Sequence, residues 1–119
     1  GHHACARLQM KYLMWLLVDL LSMGGNQQEL VIHRIEQQPW PVAEAVEVAW
    51  CESRFLPTAY NVNAGHSTDK GIFQINDFYW ESEYPELYKD VYTIDANIEM
   101  AYLIYQRMGG WNPWVCAPK

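Results

Sequence analysis

The stretch ESRFLPTAYNVNAGHSTDKGIFQINDFYW, Glu52 to Trp80, holds two carboxylates, Glu52 and Asp69, seventeen residues apart. Around them stand amides and aromatics: Tyr60, Asn61, Asn63, Gln74, Asn76, Tyr79 and Trp80. Two acids of unlike environment can run acid catalysis at a glycosidic bond. Aromatic rings stack on sugars and amides bond their hydroxyls. The mixture therefore points to a site that cleaves carbohydrate.

Upstream of this stretch, Pro41 suits the first turn of a helix, and Glu44 and Glu47 favour its positive end. Val42, Ala45, Val46 and Ala49 form its inward stripe, and Pro57 places its end near 53–55. Glu52 then falls in the last turn. There the helix dipole opposes ionisation, and apolar neighbours act in the same direction. A raised pKa is what a general acid needs.

Further out, Asn26 and Glu29 make a capping box for a helix running to about Gln37, broken by Pro39-Trp40-Pro41. Before it, Leu8, Tyr12, Leu16 and Leu20 recur every fourth residue, which reads as a core helix over 8–23 ended by Gly24 and Gly25. The segment is interrupted by Lys11 and Asp19 and is too short in apolar run to span a bilayer.

Downstream, 58–76 is turn-rich and reads as a small β-hairpin. GIFQIN, Gly71 to Asn76, alternates so that Gln74 and Asn76 would share one side of an extended strand. Residues 77–93 look irregular or weakly helical around Pro85. Asp95 can cap a last helix from 96 to about 108, with Ile98, Ala101, Tyr102, Tyr105 and Met108 inward and Gly109-Gly110 as its stop. The expected fold is one domain over 1–119, α+β and mainly helical. Residues 1–40 form a helical N-terminal part and 41–119 a catalytic core with the hairpin beside a cleft.

Composition narrows the function classes. Six Trp and eight Tyr make the 119-residue chain rich in aromatics, and its net charge is −6. No basic patch exists to neutralise phosphates, so nucleic acid is not an expected partner. Nor does the charge attract the chain to anionic walls. The three cysteines, Cys5, Cys51 and Cys116, lack zinc-site spacing, and His2 and His3 sit at the terminus, so no metal or organic cofactor is expected. One disulfide is possible, and its pairing is open at this level; a bridge would imply an extracytoplasmic place of work.

These motifs resemble the active-site stretch of chicken-type lysozymes, without a gap. The E-S-x-F context is Glu52-Ser53-Arg54-Phe55, and S-T-D-x-G-I-x-Q-I-N is Ser67 to Asn76. The tail Gly110-Trp111-Asn112-Pro113-Trp114-Val115 looks like G-x-N-x-W-V. The resemblance implies a lysozyme-like fold, Glu52 as general acid and Asp69 as nucleophile or electrostatic stabiliser. It implies sugar contacts from Asn61, Asn63, Gln74, Asn76, Tyr79 and Trp80, and Trp114 packed on the acid. In such enzymes an apolar pocket raises the acid's pKa. The implied substrate is bacterial peptidoglycan or a related amino-sugar polymer.

The chain is also similar to lytic transglycosylases and resuscitation-promoting factors. These share E-S followed by G-[LI]-x-Q, and the factors carry Cys before the Glu, as in Cys51-Glu52, and a W-P-V-C-like tail, here Trp114-Val115-Cys116. That likeness implies a Cys51–Cys116 bridge and a transglycosylase reading with Glu52 alone. The same motifs are compatible with a non-catalytic glycan-binding protein of this fold, and with a part in a larger secretion or phage machine. The departures are the small number of cysteines, the acidic charge and an N-terminal fifty residues without a match.

Overall fold

The computed structural model describes residues 26–118. The helix expected over 8–23, the terminal His2 and His3, and Cys5 lie outside them.

Helix α1, Asn26–Glu36, buries Val31, Ile32 and Ile35. Asn26 is the first described residue and lies in the helix, so what precedes and caps it falls outside the described residues. The Trp40 indole N–H donates to Ile35 O at 2.9 Å, folding the Pro-Trp-Pro corner back onto the end of α1. Helix α2, Val42–Ser53, follows with Pro41 at its N-cap. Its inward face is Ala45, Val46, Val48 and Ala49, with Val42 half-buried. The helix stops at Arg54, which takes a left-handed φ of 55° and bonds back to Trp50 O.

Three short antiparallel strands come next: β1, Tyr60–Val62; β2, Thr68–Lys70; and β3, Ile75–Asn76, in that order. Asn61 faces Asp69, and Asp69 faces Asn76, in the register. The hairpin expected over 58–76 is thus present with a third strand added. GIFQIN is not extended throughout, which corrects the alternating strand. Gly71 at φ 79° and Gln74 at φ 50° make a turn, and Ile72 and Phe73 are both buried. A Cβ on Gly71 would lie 2.2 Å from the Asn97 side-chain nitrogen, so the close approach as well as the φ demands glycine.

Two one-turn helices, α3 (Asp77–Trp80) and α4 (Pro85–Tyr88), lead into α5, Ile94–Met108. Thr93 caps α5 by accepting from Ala96 N–H at 3.2 Å. Asp95 therefore sits in the first turn, where it pairs with Arg34 at 2.7 Å instead of capping. Gly109 ends the helix in the left-handed region as expected. The buried face of α5 is Ala96, Asn97, Ile98, Met100, Ala101 and Ile104. Tyr102 and Tyr105 pack on the core from its margin, while Met108 is exposed, a correction to the expected stripe. Met108 is the last residue of the helix, one turn beyond buried Ile104.

The core gathers an aromatic cluster that binds the C-terminal tail to the middle of the chain. Trp40 lies 5.3 Å from both Phe73 and Trp111, and Trp111 lies 5.2 Å from Trp114. Two indole N–H groups are satisfied on the way, Trp111 by Glu44 at 2.9 Å and Trp114 by Phe73 O at 2.8 Å. Cys51 and Cys116 are joined as a disulfide across 65 residues, the pairing that the likeness to resuscitation-promoting factors implied. Among the described residues, no helix is long and apolar enough to cross a membrane.

Candidate active site

Three segments place the acid. Glu52 stands in the last turn of α2, and the next residue, Ser53, donates its hydroxyl to Ile72 O at 2.7 Å. That bond ties the helix end to the turn between β2 and β3. From the other side the tail passes over the carboxyl, where the Cys116 N–H donates to Glu52 Oε2 at 3.0 Å. Burial is the largest influence on this carboxyl and pushes its pKa above the usual range. Backbone N–H groups of Cys116 and Val115 oppose the rise, and the negative charge of Asp69 adds to it. The net effect is upward, with burial as its largest cause.

Asp69 sits in the middle strand, half-buried. Its two oxygens are held separately: Asn63 Nδ2 donates to Oδ2 at 3.1 Å and Asn76 Nδ2 donates to Oδ1 at 2.8 Å. Both amides also reach the Ser67 hydroxyl oxygen at 3.1 Å. A carboxamide has two N–H donors. Each asparagine thus spends both on Asp69 and Ser67. Asn76 Oδ1 further accepts from Tyr79 N–H, capping α3. The asparagines expected to grip sugar are therefore, first of all, the clamps of the second carboxylate. Ser67, in sequence no more than the first letter of a motif, is the shared acceptor between them.

A cleft of about 480 Å³ unites these groups. Glu52, Asp69, Asn63, Gln74, Asn76, Tyr79, Trp80 and Trp114 all line it. Of the anticipated site residues only Asn61 stays out, exposed on the outer strand opposite Asp69. Gln74 spends one N–H on Gly71 O at 3.0 Å and lines the cleft. Trp80 is braced by stacking on Tyr84 at 6.1 Å and by the Arg107 guanidinium 6.0 Å over its ring. Arg107 is itself held by Glu83 at 2.7 Å.

The far wall is the part that pattern reading misses. Ile104 and Met108 come from the end of α5, and Asn112, Pro113 and Val115 from the tail. The tail residues stand inside the G-x-N-x-W-V motif, which is a usable signal. Helical spacing puts Met108 on the same face as Ile104, one turn earlier, and both line the cleft. Among the described residues no three His, Cys, Asp or Glu side chains converge as metal ligands.

Comparison with known proteins agrees with this architecture. Residues 34–116 match the family described as "Lysozyme like domain", and the chain belongs to that family. Over 78 residues it is 33% identical to human "Lysozyme-like protein 6", a match covering 57% of this chain and 53% of that protein. The chain thus spans about half the length of this relative. Membership places it in a glycan-acting, lysozyme-like group with an α+β fold.

Proposed function

We propose that the protein is a glycosidase that cuts the backbone of peptidoglycan or a related amino-sugar polymer, with Glu52 as general acid and Asp69 as its partner. The observation that carries this reading is the inequality of the two carboxyls in one cleft. Glu52 is partly buried with its pKa raised, whereas both oxygens of Asp69 accept from amide donors, Asn63 and Asn76. Neutral Glu52 gives its proton to the glycosidic oxygen as the bond to the anomeric carbon breaks. Asp69 stabilises the oxocarbenium-like centre or bonds to it. Water then completes hydrolysis and returns a proton to Glu52. Trp80 and Tyr79 supply ring faces for the sugar, and Gln74 supplies a carbonyl for its hydroxyls or amide. The disulfide fits an extracytoplasmic place of work. The name of the human relative points to the same class and to nothing finer.

Replacing the acid tests the reading. Glu52→Gln keeps shape and removes the proton donor, so glycan cleavage should fall by about 10²–10⁴-fold. Unchanged wall-lytic activity would remove Glu52 from the reaction. The transglycosylase reading is favoured by one feature, the bridge beginning at the residue before the acid. Asp69→Asn separates the two: a large loss fits the two-carboxylate scheme, and near-normal rates with 1,6-anhydro products by mass spectrometry fit the other. Oligosaccharide binding without cleavage between pH 4 and 8, for the unaltered protein, would instead mark a glycan-binding protein.

A further inference from the structure

We infer that the Cys51–Cys116 disulfide positions the acid, so that cleavage requires the bridge to be oxidised beyond what the stability of the fold requires. The inference rests on the reading of Glu52 as general acid. Three observations converge on one carboxyl. The bridge begins at Cys51, the residue next to Glu52 on α2. It ends at Cys116, whose own backbone N–H donates to Glu52 Oε2 at 3.0 Å. Val115, between Trp114 and Cys116, contributes a second backbone N–H influence on Glu52 and lines the cleft. One covalent link therefore closes a small ring: Cys51 backbone, Glu52 side chain, hydrogen bond, Cys116 backbone, disulfide.

The tail has an anchor of its own upstream of this ring. Trp114 is buried and donates to Phe73 O at 2.8 Å, and Trp111 donates to Glu44 at 2.9 Å. Val115, by contrast, has a nearly fully exposed side chain, at 96%. Beyond Trp114 the tail is tied by the bridge, the bond to Glu52, a turn from Ala117 N–H to Trp114 O at 3.2 Å, and the packing of half-buried Ala117 on the core. Opening the bridge removes the covalent tie on the two residues beside Glu52, Val115 and Cys116, and leaves them held only through Trp114 on one side and Ala117 on the other. The carboxyl then gains rotamer freedom and water. An acid misplaced by about 1 Å can lose of order 10²-fold in rate.

The experiment compares the oxidised protein with protein reduced by a trialkylphosphine, which takes both sulfurs to thiols and becomes the phosphine oxide. A fluorogenic chito-oligosaccharide is the substrate, and near-UV circular dichroism reports the fold. We expect kcat to fall at least tenfold with KM within about twofold, and reoxidation to restore it. The alkaline limb of the kcat profile should move to lower pH. Burial is the largest influence holding the acid's pKa up, and the charged neighbour, Asp69 on β2, stays in place. A folded, reduced protein with unaltered kcat and limb would overturn the inference. Should reduction unfold the chain, a backbone ester at the 115–116 linkage decides, because it deletes the Cys116 N–H and keeps the bridge. It should lower kcat and move the limb to higher pH, since only a bond favouring the carboxylate is lost; an unchanged profile overturns the inference. An oxidised protein that cleaves no glycan would instead defeat the functional reading itself.

Discussion

Glu52 shows at the scale of one residue how a site is held against stability. Its carboxyl titrates above its unfolded value because burial disfavours the charge. The folded state thus binds the proton more tightly than the unfolded chain does. Stability from this group is full below the unfolded pKa, near 4.5, and is lost as pH rises through the folded value. Glu52→Gln keeps a carbonyl oxygen for the Cys116 N–H and never ionises. Urea unfolding should therefore find E52Q more stable than the parent at pH 7, with the difference closing toward pH 3. An equal gap at both pH values would contradict burial as the cause. The same residue is legible in sequence because a helix end followed by Pro57 is a local pattern. Asp69 is legible only as a carboxylate at an interval. Its clamp needs Asn63 and Asn76, six and seven residues away, to turn inward together.

At the scale of elements, short pieces are fixed by one buried side chain from a distant helix. The strands have three, three and two residues, too few to hold a register alone. Asn97 on α5 supplies what they lack. Its carbonyl accepts from Phe73 N–H at 2.8 Å, and its amide donates to Lys70 O at 2.9 Å and Val91 O at 2.8 Å. Asn97→Ala removes all three bonds, two of them buried, and should cost about 2–4 kcal/mol in urea unfolding. Glycan cleavage should fall with it, because the turn that Asn97 supports also carries Gln74. A cost under about 0.5 kcal/mol would show that water replaces the amide. This is also where the alternating pattern of GIFQIN misleads. Alternation describes a strand packed on one face, but here α5 presses on a turn and buries Ile72 and Phe73 together. The start of α5 is displaced for a related reason. Thr93 and Asp95 can both cap; Thr93 takes the cap, and Asp95, in the first turn, pairs with Arg34 on α1.

Across the whole molecule, the disulfide closes a loop of 65 residues that contains the whole sheet and α5. Loop-closure entropy alone makes such a link worth about 4 kcal/mol. Thermal unfolding with and without reductant should show a midpoint lower by on the order of 10 °C in the reduced protein. A shift below a few degrees would mean that the aromatic cluster of Trp40, Phe73, Trp111 and Trp114 already constrains the tail. The cleft is also a property of this scale. One wall is the sheet with its amides, and the other is the end of α5 with the tail. No single segment contains both.

Residue order was enough to specify the helices α2 and α5, the turn-rich insert, the candidate acid and, through family likeness, the cysteine pair. Those follow from local spacing, caps and motif context, which act over a few residues. Packing of distant segments was needed to show that Asn63 and Asn76 serve Asp69 before any sugar, that Asn61 stands outside the cleft, and that Met108 lines it. Those depend on where a side chain's hydrogen-bonding groups point once the segments meet. A donor spent on a neighbouring carboxylate looks the same in sequence as a donor waiting for a ligand.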